Sequence, residues 1–164
     1  MTVARDILSS GRFVRIGESH SLSEVIGIIF DPEAAALREL VVVVLDSEGK
    51  YLGLVEPRDI LESLGTELSA AGTDPAAQVA AIRRRLKAQV MEIARHDIPA
   101  ARLDDSLASL LCAAARCESS AIPVFDQGQF VGVVPITMIF DAACRVTLST
   151  EGADLPFMGG ASDA

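Results

Sequence analysis

The chain of 164 residues contains no tryptophan, one tyrosine and six phenylalanines, so aromatics make up only 4% of it. A core organised around large rings is excluded, and Val, Ile, Leu and Ala must fill it, since half of the residues are apolar. Soft metal ligands are scarce too. His20, His96, Cys112, Cys117 and Cys144 do not stand at the spacing of a zinc site. Three cysteines without a CxxC pair argue against a disulfide framework; Cys112 and Cys144, in apolar helical stretches, are expected to be buried reduced thiols. The net charge is −9, and residues 1–82 hold 13 of the 23 acids but only 6 of the 14 bases. No basic face is available to neutralise phosphates, which excludes nucleic acid as a partner. The longest low-charge stretch, "FVGVVPITMIF", is short and interrupted by Pro135, so no bilayer span is expected. The start, "MTVARDILSSGR", lacks the apolar centre of a signal peptide. A cytoplasmic protein is expected. GxSxG, P-loop and dinucleotide fingerprints are also missing, so no catalytic residue is assigned.

What the chain does contain is a repeat. "KYLGLVEPRDIL" (50–61) returns 79 residues later as "QFVGVVPITMIF" (129–140). Upstream, "SHSLSEVIGIIF" (19–30) matches "DDSLASLLCAAA" (104–115), each a polar cluster followed by an apolar helix. Ser19 and Asp104 are the expected N-caps. Leu22, Val25, Ile26 and Ile29 recur at helical spacing, as do Leu107, Leu110, Leu111 and Ala114. "LVVVVLD" (40–46) and "SAIPVFD" (120–126) are strands, joined by Gly-containing turns to the strands "KYLGLV" and "QFVGVV". Pro57 and Pro135 then stand where a closing helix begins. Each unit therefore reads helix–strand–strand–helix behind a short leading segment, "TVARDIL…FVRI" or "AQVMEIA…DIPAA".

The expected organisation is repeat 1 at 1–65, a linking helix at 66–87, repeat 2 at 88–146 and a disordered tail at 147–164. The extra residues of "DPEAAALREL" (31–40) are expected to be an extended helix end or a loop. "RRRLK" (83–87) is read as part of a solvated linking helix.

A β-hairpin running into Gly–hydrophobic–hydrophobic–x–x–x–Asp–Ile, written a second time with Met138 for the acid, resembles the tandem cystathionine-β-synthase-like (CBS) domain pair. The resemblance covers residues 2–146 and rests on "VVLDSEGKYLGLVEPRDIL" and "IPVFDQGQFVGVVPITMIF". It implies an α/β (α+β) fold of two repeats, each a small sheet with flanking helices, packed with pseudo-twofold symmetry. It further implies a non-catalytic Bateman-type module that dimerises and takes an adenine nucleotide or nucleoside, such as AMP, between the repeats.

In ligand-binding members the corner reads Gly-h-x-(Thr/Ser)-x-x-Asp, the hydroxyl serving phosphate and the acid the ribose. Here the first copy has Gly53, Glu56 and Asp59, and the second has Gly132, Pro135 and Met138. The resemblance thus assigns Asp59 to the ribose; beside it Arg58 is a candidate to neutralise a phosphate, and an adenosine sensor would use backbone near Val14 and Val42 for the base. Glu56 would set a like charge beside any phosphate. Each assignment has a plainer counterpart. Asp59 stands in a first helical turn, which favours any acid; Glu56 reads equally as a solvated or capping acid, and Arg58 as an exposed surface arginine. Two functions remain open, an adenosine sensor and a degenerate pair used for dimerisation or for docking an unknown protein partner. An enzyme is the third and least supported.

Overall fold

The computed structural model describes residues 2–8, 13–31 and 41–150. The expectations for 32–40 and for 151–164 lie outside the described residues. The chain forms two three-stranded sheets of the same topology, as the resemblance implied. In the first, β1 (Val14–Gly17) lies parallel to β2 (Val42–Leu45), which pairs antiparallel with β3 (Tyr51–Val55). In the second, β4 (Ala101–Arg102) is parallel to β5 (Ala121–Asp126), and β5 is antiparallel to β6 (Gln129–Pro135). The helices are α1 (Ala4–Ile7), α2 (Leu22–Ile29), α3 (Pro57–Ala71), α4 (Pro75–Leu86), α5 (Leu107–Ala115) and α6 (Ile136–Thr150), with a 3-10 turn at Val90–Glu92.

Several local expectations shift. The N-caps are Ser21 and Ser106, two residues after those expected. Ser21 Oγ accepts from Glu24 N–H, and Ser106 Oγ from Ser109 N–H. Both residues also form isolated bridges, Ser21 with Gln89 and Ser106 with Val3, and these fix where each helix starts. α3 runs on to Ala71, so the linking helix proper is α4, opened by Asp74 accepting from Ala77 N–H and by Pro75 at the first helical position. α6 continues to Thr150, so residues 147–150 are helical rather than part of a tail. Cys112 is exposed, against expectation, because α5 turns Leu110 and Ala113 inward and leaves Leu111 and Cys112 on its outer side.

The leading segments change places. Ala4 is fully buried in the core of the second repeat, beside Leu110, Ile122 and Val134. Val90 is fully buried in the core of the first, beside Leu22, Val25 and Val55. A third core joins the inner faces of the two sheets through Phe13, Val41, Val43, Leu54, Ala121 and Val133. Four of the scarce rings gather there: Tyr51 stacks on Phe130 with centroids 5.3 Å apart, while Phe13 and Phe125 meet Phe130 edge-on.

Gly53 has a steric rather than a torsional role. Leu54 N–H donates to Arg95 O at 3.1 Å and Arg95 N–H to Leu54 O at 2.8 Å, so segment 94–96 lies against the strand. A Cβ at Gly53 would stand 2.9 Å from Arg95 O and 3.2 Å from Ala94 Cβ. Backbone held by two hydrogen bonds cannot retreat from it. Gly53→Ala should therefore cost about 1–3 kcal/mol by chemical denaturation. Gly27→Ala, in open space within α2, should instead stabilise by about 0.5–1 kcal/mol. Equal effects would refute the steric account.

Candidate functional site

The corner between β3 and α3 builds the site. Glu56 is extended and stands at the N-cap, and Pro57 opens the helix with a φ already suited to it. One turn in, Asp59 folds back so that its Oδ2 accepts Glu56 N–H at 2.8 Å. Beside this corner lies a cleft of about 740 Å³, walled by α3 from Arg58 to Glu67, by Arg85 of α4, by Ile93–Asp97 and by Glu118. Its walls thus come from the first repeat, the linking helix, the second repeat's leading segment and the loop before β5.

Glu56 does not behave as a solvated acid. Its side chain is 12% exposed, and its Oε1 accepts from both the N–H and the hydroxyl of Ser120, the former at 3.0 Å. Arg95 stands 3.7 Å from its Oε2 and 3.8 Å from Glu118 Oε2. The acid therefore ties the first repeat's corner to the loop of the second. Arg58 is exposed and pairs at 2.9 Å with Glu62 one turn along the same helix; such a pair contributes little stability. "RRRLK" is only partly solvated. Arg84 pairs with Glu67 at 3.0 Å, and Arg85 reaches Ser63 at 2.5 Å and Glu92 at 2.7 Å, tying α4 to α3 and to the 3-10 turn.

Burial raises the Asp59 carboxyl above its usual range, assisted by the charges of Glu56 and Glu62; the Glu56 N–H bond and Arg95 oppose the shift without cancelling it. Its second oxygen has no protein partner among the described residues. His96 adds a polar group of defined direction. Leu52 O can only accept, so Nδ1 donates to it at 2.5 Å, which fixes the direction of the ring. Burial also pushes the Cys117 thiol up, away from thiolate chemistry. Among the described residues no group of three or more His, Cys, Asp and Glu side chains converges to hold a metal.

Of the residues singled out in the sequence, the structure brings Asp59 and Arg58 to the cleft, with Glu56 just behind them. Val14 and Val42 are elsewhere. They face each other across the β1–β2 ladder, Val42 is fully buried, and Val14 N–H is spent on Val41 O. Sequence reasoning missed Arg95, His96, Glu118 and Ser120. The first two lie in "AQVMEIARHD" (88–97), a leading segment whose sequence does not say that it packs on the opposite repeat.

The pseudo-equivalent cleft, about 470 Å³, holds Met138 where the first holds Asp59 and is lined also by Asp6, Asp141 and Arg145. Asp141 and Arg145 pair at 2.9 Å. The two clefts therefore differ in chemistry although the backbone repeats.

Residues 4–66 match the family model of the CBS domain. Curated proteins return no match. Solved structures similar in fold include a CBS-domain-containing protein from Agrobacterium tumefaciens, at 20% identity and a TM-score of 0.65, covering 86% of this chain and 92% of that one. Another, a CBS-domain-containing protein from Bacillus anthracis, is 18% identical with a TM-score of 0.65, covering 88% and 94%. CBSX2, solved in complex with AMP, is 16% identical with a TM-score of 0.64, covering 88% and 98%.

Folding raises the affinity of Asp59 for its proton. The group therefore favours the folded state below its raised pKa and opposes it as pH climbs from the unfolded value through the folded one. Asp59→Asn keeps an oxygen for Glu56 N–H and removes the titration. It should melt higher than wild type at pH 7.5, with the gap closing as pH falls through the carboxylate range. An asparagine variant that melts lower at pH 7.5 would overturn the burial argument.

Proposed function

We propose that this chain, a tandem CBS pair in fold with the CBS signature in its first repeat, is a non-catalytic, cytoplasmic regulatory module that senses an adenosine-type ligand in the cleft beside Asp59. The observation that carries this reading is the free oxygen of a half-buried, cap-fixed Asp59 facing a cleft lined by His96 and Arg95. A charged carboxylate accepts strongly from a pair of sugar hydroxyls, and His96 adds a polar ring to the cleft wall. The AMP complex of the similarly folded CBSX2 supports the same ligand class. In place of Val14 and Val42, segment 93–97 is the backbone we assign to the base.

Thermal shifts with adenosine, AMP and ATP test this on wild type, Asp59→Ala and Met138→Ala. A ligand specific for the native state adds about 2.7 kcal/mol at a hundredfold excess over Kd. Wild type and Met138→Ala should respond, and Asp59→Ala should not. No response in wild type to any of the three would defeat the sensor reading. An Asp59→Ala response equal to wild type would defeat the site assignment.

The second reading, a homodimerising or partner-docking module, is favoured by a different observation. Leu61 and Phe140, equivalent in the two repeats and both in the second turn of a closing helix, are each 69% exposed. Leu111 is exposed on α5, which packs beside α6. Large apolar side chains in matching places mark an interface. Sedimentation equilibrium at micromolar concentration should give twice the chain mass of 17.3 kDa. The double variant Leu61→Asp/Phe140→Asp should fall to the monomer. A wild-type monomer would refute the dimer.

A further inference from the structure

The Glu56 carboxylate is held across the two repeats, by a serine and an arginine far from it in the chain. Two donors of one residue, Ser120 N–H and Ser120 Oγ–H, converge on its Oε1, and the Arg95 guanidinium stands against its Oε2. Ser120 is itself fixed, because its carbonyl accepts from Ile136 N–H at 2.8 Å at the start of α6. All the donors come from the second repeat and its leading segment, and the anion comes from the first.

We infer that Ser120 N–H, Ser120 Oγ–H and the Arg95 guanidinium form an oxyanion pocket, that Glu56 occupies it as a tethered guest, and that this occupancy bars phosphoryl groups from the cleft. A phosphoryl group meets the same donors as a carboxylate, with charge-assisted bonds of the same kind. Tethering gives Glu56 an effective concentration in the millimolar range or above, so free phosphate competes poorly while the acid is present. Arg95, a cation lining the cleft, is engaged by Glu56 on one side and Glu118 on the other. A ligand accepted by the native cleft therefore places no phosphate on Ser120 or Arg95. The pocket itself does not depend on the nucleoside reading.

The test uses inorganic phosphate alone. Melting of wild type, Glu56→Ala and Glu56→Ser is compared in phosphate and in chloride at matched ionic strength. Serine is a favoured N-cap residue, so Glu56→Ser keeps α3 capped while vacating the pocket. Phosphate at about 20 mM should raise the melting temperature of both variants by about 2–4 °C and leave wild type unchanged. The double variant Glu56→Ala/Arg95→Met should lose the gain. Equal shifts in wild type and variants would reduce the effect to a general action of salt and overturn the inference. So would folded Glu56→Ala and Glu56→Ser proteins that ignore phosphate.

Discussion

Each repeat is closed by a piece of the other, and the rest of the structure depends on that exchange. Leu22 N–H donates to Ala88 O and Val90 N–H to His20 O, both at 2.9 Å, which seats the second repeat's leading segment on the first repeat. Leu107 N–H donates to Thr2 O and Ala4 N–H to Asp105 O, which does the same in reverse. A unit of about 60 residues is marginal alone because it buries too little of its surface. Here each unit's core is completed by the other's leading segment, through Val90 in the first and Ala4 in the second. The exchange also creates the cleft, since its wall at 93–97 is brought to α3 only by the segment that crosses.

The sheet interface shows how a chain poor in aromatics fills a joint between two layers. Valines and alanines from the inner faces meet over most of it, where β-branched side chains suit a pleated surface. Four of the seven aromatic residues fill the end where the hairpins meet, with Tyr51 and Phe130 stacked and their neighbours edge-on. Stacked and edge-on pairs each add about 0.5–1.5 kcal/mol beyond the area they bury.

Strands, hairpin turns and the two-unit plan were legible because short apolar runs closed by turns at Gly49 or Gly128 leave few alternatives. Helix ends were less legible. The cap is decided by which hydroxyl meets a free N–H, and bridges from distant segments moved that choice to Ser21 and Ser106. Asp59 and Arg58 could be placed in a cleft because the signature is local. Arg95, His96 and Ser120 could not, because nothing near Gly53 in sequence says that residues 94–96 will lie against it. Glu56 misled for the same reason: its partners are 39 and 64 residues away.

The acid kept in only one repeat has a physical cause that precedes any ligand. Four times in the described chain an acid folds back on the N–H three residues before it: Asp6 on Val3, Glu24 on Ser21, Asp59 on Glu56 and Asp105 on Arg102. The device needs an N–H. In the second repeat the residue equivalent to Glu56 is Pro135, which has none. An acid at 138 would gain no such bond, so Met138 forfeits nothing there. Capping thus accounts for the presence of Asp59, and for its absence from the second copy, through one oxygen only. The proposed sensing uses the other oxygen, in a cleft whose arginines, Arg58, Arg85 and Arg95, are each paired with a carboxylate. A sugar brings hydroxyl donors to that oxygen and asks nothing of the arginines, whereas a phosphate must draw one of them from its carboxylate partner.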